Sequence, residues 1–271
     1  MSFKLGNTTI GELYVGSNKI AQAYLGSNLV YQATAPVDPY NPLGLPANTV
    51  RVRTNNGKAP TKGNNTYYET ATLVQGTSDV YDVYKSGTDF SYFLLGSSNV
   101  IEVLGANTTG ITNMTSMFYK CTSLTSVQVF DTSSVTNMTA MFRECTLLTS
   151  VPLFDTSSVT KMESMFQSCN TLTTIPLFDT SKVTNMYQML RQCALLTTVP
   201  LLDTSKVTNM NYMLYYSTNV QSGALALYQQ ASSQTTPPSN HSNTFNNCGS
   251  NTQTGAAELA QIPSTWGGTG A

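Results

Sequence analysis

The side chains best able to do chemistry in this chain recur at a fixed distance. Cys121, Cys145, Cys169 and Cys193 lie 24 residues apart, and Asp131, Asp155, Asp179 and Asp203 keep the same spacing. Thiolates in a column could hold a metal or form disulfides, and stacked carboxylates could hold a cation. Zinc sites, however, pair their ligands at short spacings, and no C-x-x-C is present. Calcium binding by repeats needs a Gly-rich nonapeptide, which is also missing. No metal site and no cofactor is therefore expected. Helices on adjacent repeats would pack about 8–10 Å apart, and a disulfide needs Cα atoms within about 7 Å. The cysteines then read as small buried hydrophobes. Each Asp of the D-T-S triplets reads as an Asx turn, its carboxylate accepting a backbone N–H two residues on. The fifth cysteine, Cys248, and the single histidine, His241, lie beyond these columns. His241 has no nucleophile or acid marked beside it by any motif. Neither a P-loop nor a strand-linked G-x-G-x-x-G occurs. No catalytic residue is assigned, and the protein is not expected to be an enzyme.

The elements that position these residues follow from their registry. Met114, Met138, Met162, Met186 and Met210 share the period, and each is followed three residues later by a second Met. A strict period of this length means repeating units that bury their apolar faces against one another. In the clearest copy, Leu148, Val151 and Leu153 follow an L-x-x-V-x-L strand pattern with all three side chains facing inward. Val159, Met162, Met165, Phe166 and Cys169 then fall on one face of a helix. Thr160 or Ser157-Ser158 supplies the N-cap oxygen. The fold expected is an α/β solenoid: a leucine-rich repeat of 24-residue strand–helix units over residues 100–219. A β-rich N-terminal cap (48–99) carries strand patterns at Val50–Arg53, Ala71–Val74 and Val80–Tyr84. A helical C-terminal cap (220–271) carries helical patterns at Gly223–Ala231 and Ala256–Ile262.

Ahead of the cap the chain changes character. Residues 1–34 contain the unit Y-[VL]-G-S-N twice at ten-residue spacing, which predicts a meander of short strands and tight turns. Residues 35–47 hold four prolines, an extended spacer that sets the meander apart as its own small β module. Charged residues make up 10% of the chain and the net charge is −1. That leaves no footprint for nucleic acid or for an anionic membrane. No run approaches the roughly 18 apolar residues of a membrane span. The first twenty residues lack the apolar core of a signal peptide.

Val135-Thr136-Asn137-Met138, Met141-Phe142, Cys145, Leu148-Thr149 and Phe154-Asp155-Thr156-Ser157 carry a specific pattern. It closely resembles the BspA-like leucine-rich repeats of bacterial surface proteins, over residues 100–219. That resemblance implies an adhesin or interaction scaffold. The Y-L-G-S-N meander looks like short modules at the front of phage virion proteins such as tail or head fibres. Together the two resemblances imply a non-enzymatic virion protein that attaches to a bacterial surface protein or glycan. Residues 1–34 would anchor it to other virion proteins through Leu13, Tyr14, Val15, Tyr24, Leu25, Val30 and Tyr31. Fibres of this kind are homo-oligomers, a trimer being one form. The alternative is a BspA-like adhesin on a bacterial cell surface.

Two faces remain free for a partner. The expected helix side carries Tyr119, Arg143, Gln167, Arg191 and Tyr215 in one column, with Tyr187, Tyr212 and Tyr216 nearby. Tyr and Arg are the residue types enriched in binding hot spots. The strand side offers a neutral sheet of hydroxyls and amide at Thr125, Gln128, Thr149, Thr173 and Thr197.

Overall fold

The computed structural model describes residues 41–61 and 67–270, and the backbone of four short strands before them. Strands β1 (Tyr14–Val15) and β2 (Asn18–Lys19) form one antiparallel pair, and β3 (Gln22–Leu25) and β4 (Asn28–Gln32) form another. Leu13 lies outside the described residues, and so do the side chains of Tyr14, Val15, Tyr24, Leu25, Val30 and Tyr31. The virion-anchor assignment rests on those residues.

Among the described residues one mixed sheet follows: β5 (Thr49–Thr54), β6 (Thr70–Leu73), β7 (Val80–Tyr84), β8 (Val100–Asn107) and β9 (Ser126–Val127), in the order β6-β7-β5-β8-β9. Its pairs are antiparallel except β8 with β9. Val50, Val52, Val83 and Val103 alternate inward from it, as a half-buried sheet requires. The opposite face is tied by a bidentate pair, Arg51 Nε and Nη2 to the Asp82 carboxylate at 2.6 and 2.7 Å.

The expected α/β solenoid of strand–helix units does not form. No 24-residue unit contains a helix. The only two α-helices among the described residues are short, α1 (Ala224–Ser232) and α2 (Gln253–Leu259). In the segment read as helical, Ser164 and Ser168 have φ of 55° and 60°, left-handed values that break a helix every fourth residue. The backbone N–H groups of Met162, Ser164, Phe166 and Ser168 donate to carbonyls of Asn185, Tyr187, Met189 and Arg191 in the next unit, at 2.8–3.1 Å. Those of Met165, Gln167 and Cys169 close turns within the unit, onto Met162, Ser164 and Phe166. Successive turns move the chain inward every three or four residues, so they produce the same apolar spacing as a helix. They also let coils stack at the strand spacing of about 4.8 Å, whereas helices would need about 8–10 Å. The Phe118–Phe142 and Phe142–Phe166 centroids, 5.4 and 5.8 Å apart and nearly coplanar, follow that closer spacing.

Parallel bridges connect Asp89, Asn113, Asn137, Lys161, Asn185, Asn209 and Asn240 in succession. The stack thus starts inside the region read as an N-terminal cap and continues into the region read as a C-terminal one. The C-terminal segment is not a helical cap. Between α1 and α2, Asn240–Cys248 forms another coil, offset by 31 residues from Asn209 instead of 24 because α1 is inserted. Met210, Tyr212, Leu214 and Tyr216 donate their N–H groups to Asn240, Ser242, Thr244 and Asn246. Phe245 and Cys248 take the core positions of Leu214 and Ser217, and all four side chains are buried.

Candidate binding faces of the repeat stack

The interior of each coil is occupied by packing and backbone satisfaction. All five cysteines are free and buried. Cys145 Sγ donates to Phe118 O at 3.1 Å, and Cys121, Cys169 and Cys193 repeat the contact onto Leu94, Phe142 and Phe166. Ser97 and Ser217 stand in the same column and make the same kind of bond, to Thr61 O and Leu190 O. Burial pushes the thiols up, to about 12 for Cys121 and Cys193, which leaves them poor nucleophiles. Without helices, the closer coil spacing of about 4.8 Å falls within disulfide reach. What occupies the thiols of Cys121, Cys145, Cys169 and Cys193 is a carbonyl in the preceding coil.

The aspartates make the expected Asx turns. The Oδ1 atoms of Asp131, Asp155, Asp179 and Asp203 accept the N–H of Ser133, Ser157, Ser181 and Ser205 at 2.8–3.0 Å. The hydrogen bonds from Ser157 and Ser181 hold Asp155 and Asp179 below the ordinary carboxylate range. Two further columns were missed. Asn113, Asn137, Asn185 and Asn209 make a second set of Asx turns, in the role assigned to Thr160 and Ser157-Ser158. Thr132, Thr156 and Thr180 are buried, each donating to the carbonyl of an Asp in the next coil at 2.8 Å. The V-T-N-M and D-T-S triplets were the signals for both.

The strand side differs from its expected form. Thr125, Thr173 and Thr197 donate their hydroxyls to Ile101 O, Thr149 O and Thr173 O, so their donors are used within the stack. Gln128 and Thr149 are exposed. Leu153, assigned to the core, is 62% exposed, as is Leu177, and Leu201 is 52% exposed. Phe154 and Phe178 take the inward place. The alternation breaks with and without proline: Val127 and Phe130 are buried in the Gln128 coil, as Val151 and Phe154 are in the Pro152 coil. Phe178 and Leu202 donate their N–H groups to Pro176 O and Pro200 O at 3.0 and 2.9 Å, tight turns that send the intervening residue outward. A leucine stripe therefore faces outward.

The turn side gathers the predicted aromatic and arginine residues. Tyr187–Tyr212 and Tyr212–Tyr215 meet edge to face at 6.3 and 5.3 Å, and Tyr215–Tyr216 lie 4.5 Å apart. The Arg191 guanidinium lies over Tyr215 at 5.3 Å, and that of Arg143 over Tyr119 at 5.1 Å. The structure therefore splits the predicted set in two. Tyr119 and Arg143 form one group, and Tyr187, Arg191, Tyr212, Tyr215 and Tyr216 form another at the far end.

The lone His241 stacks on Trp266 at 4.0 Å, joining the last coil to the chain's end. An open cleft of about 480 Å³ lies beside α1, lined by Asp203, Ser205, Gln230, Ser233, Gln234, Thr235 and Thr236.

The family model described as "Mycoplasma protein of unknown function, DUF285" matches residues 88–193 and 148–256, more than half of the chain. The chain belongs to this family. The DUF285 matches run from just before Asp89 to just past Cys248, the span of the stacked coils, and they support the BspA-like repeat resemblance. They do not reach residues 1–34 and have no bearing on the fibre resemblance. Comparison with curated proteins and with solved structures finds no match.

Proposed function

We propose that this DUF285 chain is a non-enzymatic binding protein that attaches to a bacterial surface protein or glycan. The observation that carries the reading is the cluster of Tyr187, Tyr212, Tyr215 and Tyr216 around Arg191, on one side of an otherwise charge-poor stack. Rigid aromatic rings with one guanidinium provide contact area at low entropic cost, the composition of a binding hot spot. The coils fix these side chains on a hydrogen-bonded ladder, so the site is organised before a partner arrives.

The reading places the protein on a virion, held to other virion proteins by residues 1–34 and assembled as a homo-oligomer. The two antiparallel strand pairs at Tyr14–Lys19 and Gln22–Gln32 favour this, being separate from the five-stranded sheet. The alternative location is a bacterial cell surface. Binding of the full chain to whole bacterial cells tests the function. Tyr212→Ser with Tyr215→Ser should abolish it, and unchanged binding by that double variant refutes the assignment. Deleting residues 1–34 should prevent incorporation into purified particles, and retained incorporation overturns the anchor.

A further inference from the structure

We infer that the Arg191 end of the turn face binds the carboxylate of an acidic saccharide. This rests on the binding function proposed above and gives its ligand a chemical class. Arg143 and Arg191 occupy equivalent positions of the repeat, two units apart. Arg143 is followed by Glu144, whose carboxylate lies 3.5 Å from Arg143 Nε and 3.9 Å from Lys120 Nζ and accepts the Tyr119 hydroxyl at 3.1 Å. Arg143 thus has an internal counterion, shared with Lys120. Arg191 is followed by Gln192 at the position of Glu144, and no carboxylate replaces it. Among the described residues the Arg191 guanidinium makes no ion pair; its buried Nε lacks a hydrogen-bond partner, as Arg143 Nε also does, so the difference between the two lies in the ion pair. Glu163, an acid of the preceding coil, is held by Thr139 and Asn185 at 2.8 Å each.

Stacking on Tyr215 fixes the guanidinium plane, with Nε buried, and among the described residues the two terminal amino groups make no hydrogen bond. That end of a guanidinium meets a carboxylate through two parallel N–H donors. Tyr216, next along, is 45% exposed and packs 4.5 Å from Tyr215, and Tyr212 closes the other flank. Aromatic faces suit the apolar C–H face of a pyranose ring, and their hydroxyls suit its rim. A charged head beside a ring platform selects a sugar acid over a neutral sugar.

The test is binding of the full chain to short galacturonate, glucuronate and sialyl oligosaccharides, each paired with its carboxyl-reduced counterpart. The carboxylated members should bind at least tenfold more tightly than the reduced ones. Arg191→Gln should remove that preference, and Arg143→Gln should leave it intact. Gln192→Glu keeps Arg191 but gives it the internal partner that Arg143 has. It should weaken binding about tenfold and keeps the test open if Arg191→Gln fails to fold. Equal binding of the reduced sugars, no binding by any carboxylated member, or full binding by Gln192→Glu overturns the inference. Cell attachment that needs Tyr212 and Tyr215 but not Arg191 would sink the acidic ligand alone. Attachment that needs none of the three would sink the binding site as well.

Discussion

Gln192 offers a measurement whose sign separates stacked turns from helices. It is exposed and sits at φ 57°, and its contacts are slight, the nearest being Ser168 Oγ at 3.5 Å from its Oε1. A residue with a Cβ in this left-handed region costs about 1–2 kcal/mol. Glycine escapes that cost but gives up about 0.5–1 kcal/mol in backbone entropy. Comparing Gln192→Gly with Gln192→Ala removes the side-chain contact from both sides of the difference. The glycine variant should therefore be the more stable by about 0.5–1 kcal/mol. In a helix the same pair would differ by about 1 kcal/mol in favour of alanine. The chain already has glycine at this position in its first coil, where Gly96 adopts φ 70°. Urea unfolding monitored by circular dichroism is the assay. With an m-value of about 2 kcal/mol/M, the two midpoints should stand about 0.25–0.5 M apart at unchanged slope. A higher midpoint for the alanine variant would refute the turn architecture.

Other perturbations follow from the same packing. Because Cys121 and Cys193 are pushed up to about 12, against about 8.5 in an unfolded chain, the unfolded state releases protons first as pH rises. Stability should fall between about pH 8.5 and 12, with a slope approaching 1.4 kcal/mol per pH unit per thiol, and replacing Cys121 by Ser should flatten a urea-midpoint profile across that range. A thiol reagent should label none of the five cysteines at neutral pH until urea is added; labelling in the native protein would contradict their burial. Asp155 and Asp179 are held low by their Asx turns, so their contribution is present above about pH 4 and should be lost as pH falls through their folded values. Asp155→Asn keeps the acceptor and should cost little, whereas Asp155→Ala should cost about 1 kcal/mol, both read by denaturant midpoint at pH 7. Gly223 has φ 99°, and a Cβ there would stand 2.1 Å from Val199 O, so Gly223→Ala should cost about 3 kcal/mol or more and undock α1, visible as faster hydrogen exchange over Ala224–Ser232.

The sequence by itself determined most of the residues that are inside, Leu153 being an exception. The 24-residue registry placed the methionine, phenylalanine, cysteine and Asx-turn aspartate columns, and it marked the Tyr and Arg residues as free. It did not determine the path of the backbone between them. Met162, Met165, Phe166 and Cys169 are spaced at three and four residues, which a helix and a run of turns both produce. The choice lies in where Ser164 and Phe166 send their N–H groups, and their acceptors, Tyr187 and Met189, belong to the next coil. Leu153 was misplaced for a related reason. Its direction depends on Phe154 turning inward to pack against Phe130 of the neighbouring coil at 5.0 Å, which is a property of the stack. The last coil, Asn240–Cys248, was hidden because α1 shifts its register while inter-coil hydrogen bonds restore it in space. Tertiary structure also decided that Arg143 lies over Tyr119 and Arg191 over Tyr215, since residues 24 apart meet only when the coils stack.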